Sequence, residues 1–250
     1  MFDLHGKKAI ITGGAQGLGF SIVEAFHHAG VEIAVIDISD EVFNLSTKLE
    51  AYDAKVHAVK GNLLDIENLR QSFTESLEKL GGTVDILINS AGLIERKPAL
   101  EFSLESWNRI LGLNVTAVFE LSKLAAKEMK KQESGKIINM GSILSVLGGF
   151  NAAAYSTSKG AVLQLTKSLS NEWAEYGIQV NAIAPGYMLT TMNDDLMNDP
   201  VRGPQVEARI PAKRWGTPQD VAGVALFLAA PASNYVTGTL IPVDGGVLGR

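Results

Sequence analysis

The sequence predicts an α/β fold, a doubly wound parallel sheet of seven strands with helices on both faces. Short β-branched apolar runs alternate with longer helical patterns along its 250 residues, as in a parallel sheet with crossover helices. The first six runs are largely apolar at every position, as strands must be when helices cover both sheet faces. The turn Thr12-Gly13-Gly14-Ala15-Gln16-Gly17-Leu18-Gly19 joins the first run to a helical pattern. Such a turn presents bare backbone N–H groups to a phosphate.

In order, the runs are Lys8–Thr12, Glu32–Asp37, Lys55–Lys60, Asp85–Asn89, Lys136–Met140, Gln179–Ala184 and Leu240–Val243. Six helical intervals separate them, and no linker, low-complexity tract or repeat divides the chain, so one domain over 1–250 is expected. Thr217-Pro218-Gln219-Asp220 reads as an N-cap, a proline at the first helical position and an acid three residues after the cap. Residues 187–214 differ, being polar, rich in Met and Asp, and holding Pro200, Pro204 and Pro211. They follow the carboxyl end of the sixth run, where open α/β sheets bind ligands. A mobile substrate lid is expected there, with an ordinary long surface loop as the alternative.

Composition narrows the function. A net charge of −5 with scattered Lys and Arg argues against nucleic acid as a partner. The chain has no cysteine, which excludes disulfides and thiol chemistry. Its histidines (His5, His27, His28, His57) show no metal-ligand spacing, so no metal is expected. Met1-Phe2-Asp3-Leu4-His5-Gly6 has no basic segment followed by an apolar one, so no signal peptide is expected, and no apolar stretch reaches membrane-spanning length. A cytoplasmic protein with no membrane partner is expected.

Three groups then point to chemistry. At Gly13, Gly17 and Gly19 a Cβ would obstruct a pyrophosphate and the packing of helix on strand. Asp37 ends the second run, eighteen residues after Gly19, where a carboxylate can accept hydrogen bonds from both adenine-ribose hydroxyls. It would repel a 2′-phosphate, and no Arg or Lys lies within Gly14–Gln16 or among Ile38, Ser39 and Asp40. NAD is therefore expected over NADP. Tyr155 and Lys159, four residues apart, share one helix face. A free tyrosine, with a pKa near ~10, is a poor base at neutral pH, and a neighbouring ammonium would favour its phenolate.

With Asn89-Ser90-Ala91-Gly92 after the fourth run, Asn114 in a long helix, Ser142 after the fifth run and Pro185-Gly186 after the sixth, the chain resembles the short-chain dehydrogenase/reductase family. The resemblance runs from Leu4 to Val243-Asp244-Gly245-Gly246. It implies a Rossmann-type fold and an NAD(P)-dependent oxidoreductase interconverting a secondary alcohol and a ketone. Tyr155 would be the general acid/base, with Lys159 supplying charge and binding the nicotinamide ribose. Ser142 would hydrogen-bond the reacting oxygen, and Asn114 would hold a proton-relaying water. The implied cofactor contacts are Gly13, Gln16, Gly17, Leu18, Gly19, Asp37, Asn62, Leu63, Asn89, Ala91, Gly92, Tyr155, Lys159, Pro185, Gly186, Met188 and Thr190. Asn62, Ser90 and Gly141 depart from the common Asp, Asn and Ser, and none removes a group the chemistry needs.

Asn171-Glu172-Trp173-Ala174, Ala184-Pro185-Gly186-Tyr187-Met188, Arg209–Gly216 and Leu248-Gly249-Arg250 look like the sugar-acid branch of the family. The resemblance implies substrates of the 2-dehydro-3-deoxy-D-gluconate or 2-deoxy-D-gluconate type, with oxidation of gluconate at carbon 5 as the alternative. A sugar acid brings a carboxylate, which asks for an arginine or lysine. Arg96 is expected to bind it beside Ser142 and Tyr155, with Lys97, Arg202, Arg209 and Arg214 as the other candidates. The resemblance also implies a homotetramer joined through the Asn114 and Tyr155 helices. An acyl-carrier-protein reductase would want a dense basic docking surface, which the sequence does not offer. A silent nucleotide-sensing scaffold sits poorly with the full set of Asn114, Ser142, Tyr155 and Lys159.

Overall fold

Successive strand residues point to opposite faces, and here both sets are apolar. Ile11, Val35, Ile88, Ile138 and Ile183 join one core, while Ile10, Ile36, Leu87, Ile137 and Val180 join the other. The computed structural model describes residues 1–49 and 55–249. Arg250, the last residue of a segment read as sugar-acid-like, lies outside them.

Among the described residues the strands are β1 (Lys8–Thr12), β2 (Glu32–Asp37), β3 (Val56–Lys60), β4 (Ile86–Asn89), β5 (Gly135–Met140), β6 (Ile178–Pro185) and β7 (Leu240–Val243). They form one sheet of order β3-β2-β1-β4-β5-β6-β7, and every pairing is parallel. The seven expected strands are all present, with ends shifted by one residue at most. From β1 the chain winds outward to β3 and then returns to β4. This reversal opens a crevice at the carboxyl ends of β1 and β4, where open α/β sheets bind ligands.

The helices are α1 (Gly17–His28), α2 (Leu45–Lys48), α3 (Ile66–Lys79), α4 (Leu104–Leu111), α5 (Val118–Gln132), α6 (Ala153–Trp173), α7 (Asp194–Met197), α8 (Arg202–Arg209) and α9 (Pro218–Ala229). Phe26 of α1 and Leu228 of α9 fill one core; Phe73 of α3, Leu121 and Met129 of α5 and Leu169 of α6 fill the other. Between α4 and α5 the helix widens into π turns over Gly112–Ala117, a feature frequent at functional sites. The expected cap at α9 is present, with the Asp220 carboxylate accepting from the Thr217 N–H at 2.7 Å.

Residues 187–214 hold more order than their composition suggests, because α7 and α8 lie within them. Pro204 falls in the first turn of α8, where the missing N–H has no intrahelical acceptor to lose. The segment is pinched at its neck. Leu189 donates to the Gly216 carbonyl (2.8 Å) and Gly216 donates to that of Tyr187 (2.9 Å). A Cβ at Gly216 would strike the Met188 sulfur. The Tyr187 and Trp215 rings meet edge to face at 5.7 Å. No helix among the described residues is long and apolar enough to cross a membrane.

Candidate active site

A cleft of about 1200 Å³ opens at the carboxyl ends of the strands. Its floor is the glycine turn. Gly13 has φ +67° and donates to Ile36 O at 2.8 Å. A Cβ on Gly13 would lie 2.7 Å from the Ala91 Cα, and one on Gly19 would strike the Gly13 carbonyl. Gly17, at φ +58°, faces open space, so backbone rather than side chain meets whatever occupies the cleft. Thr12 Oγ1 accepts from the N–H groups of both Ser90 and Ala91 at 3.1 Å, drawing the loop after β4 toward this turn. These glycines form a cradle that side chains would fill, and it fits a dinucleotide diphosphate.

Asp37 is fixed on the adjoining wall. Its Oδ2 accepts from Ala15 N and its Oδ1 from Ser39 N, both at 3.0 Å. Each oxygen keeps acceptor capacity for a hydroxyl. Gln16, Leu18, Asn62, Leu63, Gly92, Pro185, Gly186, Met188 and Thr190 also line the cleft. Asn89, also expected to contact the cofactor, is not part of this lining. Strand alternation turns its amide into the core behind the sheet, where it donates to Ser122 Oγ (3.1 Å) and Asn139 Oδ1 (2.9 Å).

Ser142 leaves β5 and caps the short turn that follows, accepting from Leu144 N at 3.1 Å. That bond leaves the hydroxyl hydrogen free to donate, and Ser142 hydrogen-bonds Tyr155. Tyr155 sits in the first turn of α6, one turn before Lys159. The Lys159 ammonium donates to Met140 O at 2.6 Å and lies 5.5 Å from the Tyr155 ring centre. Burial pulls Lys159 down to about 8 because desolvation penalises its charged form. Burial also raises Tyr155 above the ordinary tyrosine value, opposed by the Ser142 hydrogen bond and the Arg96 guanidinium. The sequence pointed to Lys159 as the group that lowers Tyr155. Here burial wins, and the hydroxyl is protonated at neutral pH.

Asn114 lies in the π turns, fully buried and outside the cleft lining. Its Nδ2 donates to Leu93 O and Ser158 Oγ, and its Oδ1 accepts from Leu93 N, all at 3.0 Å. Both amide hydrogens are therefore used in clamping the loop after β4 to α6. The expected water site on this side chain reduces to one remaining Oδ1 lone pair.

The upper wall is basic. Arg96 donates to Met192 O (3.1 Å) and Asn193 Oδ1 (2.8 Å). Arg202, Arg209 and Arg109 also line the cleft with Arg96 and Lys159, and among the described residues Asp37 is the single lining carboxylate. Two expected candidates for a carboxylate partner drop out. Arg214 is held by both Asp220 oxygens at 2.7 and 2.9 Å, and neither it nor Lys97 lines the cleft. Sequence reasoning passed over Arg109 and Gln205. The spacing of Arg202, Gln205, Val206 and Arg209 is a helical-face signal that the surrounding prolines masked.

A buried serine and a half-buried tyrosine beside an ammonium, next to a nucleotide-sized cradle, can exchange a proton with an oxygen placed between them. The family model described as enoyl-(acyl carrier protein) reductase matches residues 13–248. The chain belongs to the short-chain dehydrogenase/reductase family. The 2-dehydro-3-deoxy-D-gluconate 5-dehydrogenase of Dickeya dadantii (strain 3937) is 42% identical over 250 residues, 100% of this chain and 98% of that protein. The 5-keto-D-gluconate 5-reductase of Escherichia coli (strain K12) is 39% identical over 249 residues, 99% of this chain and 98% of that protein. A crystal structure of a gluconate 5-dehydrogenase from Burkholderia cenocepacia J2315, in complex with NADP and tartrate, superimposes with TM-score 0.94 at 34% identity. It covers 100% of this chain and 98% of that one. As a short-chain dehydrogenase/reductase the chain is a nicotinamide-dependent oxidoreductase of CH–OH groups.

Proposed function

We propose that the chain is a cytoplasmic, NAD-dependent dehydrogenase of sugar acids of the 2-dehydro-3-deoxy-D-gluconate or 2-deoxy-D-gluconate type. The observation that carries this reading is the convergence of the Ser142–Tyr155 pair, Lys159 and Arg96 in one cleft. Oxidation of gluconate at carbon 5 is the second reading, favoured by the Escherichia and Burkholderia relatives.

Reducing a ketone needs a hydride on carbon and a proton on oxygen, and the nicotinamide supplies the hydride when bound. Tyr155 donates the proton, and its burial, which keeps the hydroxyl protonated, suits it to that direction. Ser142 holds the same oxygen with its free hydroxyl hydrogen. In the reverse direction Tyr155 takes the proton from the alcohol, and the Ser142 hydrogen bond and the Arg96 charge then oppose burial by favouring the phenolate. Asn114 positions the loop after β4 against α6. Gly13, Gln16, Gly17, Leu18 and Gly19 would hold the diphosphate, Asp37 the adenine ribose, and Asn62 and Leu63 the adenine. Ala91, Gly92, Lys159, Pro185, Gly186, Met188 and Thr190 would surround the nicotinamide end. Arg96 takes the substrate carboxylate, and residues 187–214 cover it as a lid on one catalytic domain.

Selection of NAD rests on Asp37. Lys60, at the end of the neighbouring strand, is already paired with Asp40 at 2.6 Å, which leaves Asp37 to decide the sign of the ribose site. Asp37→Ala should weaken NAD by about 1.5–3 kcal/mol through lost hydrogen bonds to a charged group and should harm NADP less. The kcat/KM ratio for the two cofactors reports this directly. A ratio that fails to move toward NADP would remove Asp37 as the selector.

Steady-state turnover of diketo-deoxygluconate, 2-deoxygluconate, gluconate and 5-ketogluconate with both cofactors tests the proposal. The first two should be preferred. No turnover of any acid would overturn it. A homotetramer joined through α4–α5 and α6 completes the reading. It is supported by the exposed Leu104 and Phe119 on those helices and is checked by light scattering.

A further inference from the structure

We infer that Arg202 is a second carboxylate anchor, which meets Arg96 across the cleft so that an acidic substrate ties residues 187–214 to the body of the protein. The inference rests on the sugar-acid reading and adds a specificity residue to it. Arg96 belongs to the loop after β4, whereas Arg202 opens α8 inside the pinched segment. Both line the cleft. The Arg202 guanidinium lies over the Phe150 ring at 5.4 Å, and Phe150 belongs to the connection between β5 and α6.

Neither guanidinium is paired with a carboxylate among the described residues. Arg96 spends two of its five N–H groups on neutral acceptors, Met192 O and Asn193 Oδ1, and three remain. The Arg202 backbone N–H donates to Asp199 Oδ1 at 2.8 Å, and the Arg202 charge favours that carboxylate without pairing with it. Burial disfavours the charged form of Arg96 most, and the charge of Arg202 adds to it while that of Asp195 opposes it. A carboxylate between them gains from both and cancels their repulsion. Arg209 shares the helix face but is not among the charges acting on Arg96. A neutral sugar would leave the two guanidiniums unbridged and the segment held only by the Arg96 bonds to Met192 and Asn193 and by the Arg202–Phe150 stack.

Limited proteolysis of the NADH-bound enzyme, read at residues 187–214, tests the coupling without requiring turnover. D-gluconate should slow cleavage in the wild type and fail to do so in Arg202→Gln, whereas D-sorbitol should protect neither. In parallel, KM for the sugar acid should rise about 10- to 100-fold in Arg202→Gln, the worth of a charge-assisted bond, with NADH affinity unchanged. Arg202→Lys should recover part of the loss, because a point charge replaces a fork. Phe150→Leu removes the stacking partner and keeps the charge, so carboxylate protection should survive it. The anchor is overturned if Arg202→Gln stays protected with KM within twofold of wild type. It is equally overturned if Phe150→Leu reproduces the Arg202→Gln loss, since Arg202 would then only brace the segment. A wild type indifferent to sugar acids but protected by acetate through Arg202 would keep the anchor and reject the sugar-acid reading. Protection by no carboxylate rejects the anchor.

Discussion

Tyr155→Phe is expected to lower kcat by about 10²–10⁴-fold, the range for losing a general acid–base group, with cofactor affinity nearly intact. The ring keeps its place in α6, and only the hydroxyl that Ser142 contacts disappears. Steady-state rates set beside fluorescence titration of NADH separate the two effects, and activity within threefold of wild type would end the mechanism. The pH dependence of the wild type carries a matching sign. Because burial raises Tyr155, reduction, which needs the protonated hydroxyl, should stay level through neutral pH and fall only in strong alkali. Oxidation, which needs the phenolate, should rise with pH over the same range.

Lys159→Met should be as damaging to catalysis, at about 10²–10³-fold in kcat if the ammonium acts as a preorganised charge. It should also weaken the cofactor, which Tyr155→Phe should not. Stability should move the other way. Lys159 is held at about 8 by burial, below the roughly 10.4 of a free lysine, so folding disfavours its charged form. That penalty is fully present below about pH 8 and is relieved as pH rises toward the unfolded value. A methionine of similar length avoids it. Without cofactor, the variant should melt at or above the wild-type temperature at pH 7, and its advantage should shrink as the buffer is raised through pH 8 toward pH 10. A variant less stable than wild type at pH 7 would show that the bond to Met140 O outweighs the desolvation.

The strands were legible because each is covered on both faces. Every position of Ile33–Ile36 or Ile86–Asn89 had to be apolar or internally bonded, and few other segments satisfy that. The glycine turn was equally plain, since Gly13 and Gly19 fill places where no side chain fits. Side-chain direction was less accessible. Asn89 and Asn114 sit where the motifs put them, yet Asn89 faces the core because of the strand pleat. Asn114 is consumed by Leu93, twenty-one residues away in sequence. The fate of Tyr155 was hidden for a similar reason, because the balance between its burial and the Arg96 charge involves a group distant in the chain. Helices α7 and α8 escaped notice because Pro200, Pro204 and Pro211 read as breaks, although Pro204 occupies the one turn where a helix tolerates it.

The pinch between Tyr187 and Gly216 has an evolutionary corollary. Ser142, Tyr155, Lys159 and the glycine turn all lie outside the stretch it closes off, while Arg202, Gln205 and Arg209 lie inside. Since the ends are already joined, lengthening the stretch adds little closure entropy: a doubling costs only about 0.6 kcal/mol. Such a stretch can be exchanged as a cassette. New substrates can then be explored by rewriting residues 191–214, while the hydride-transfer machinery passes unchanged from one descendant to the next.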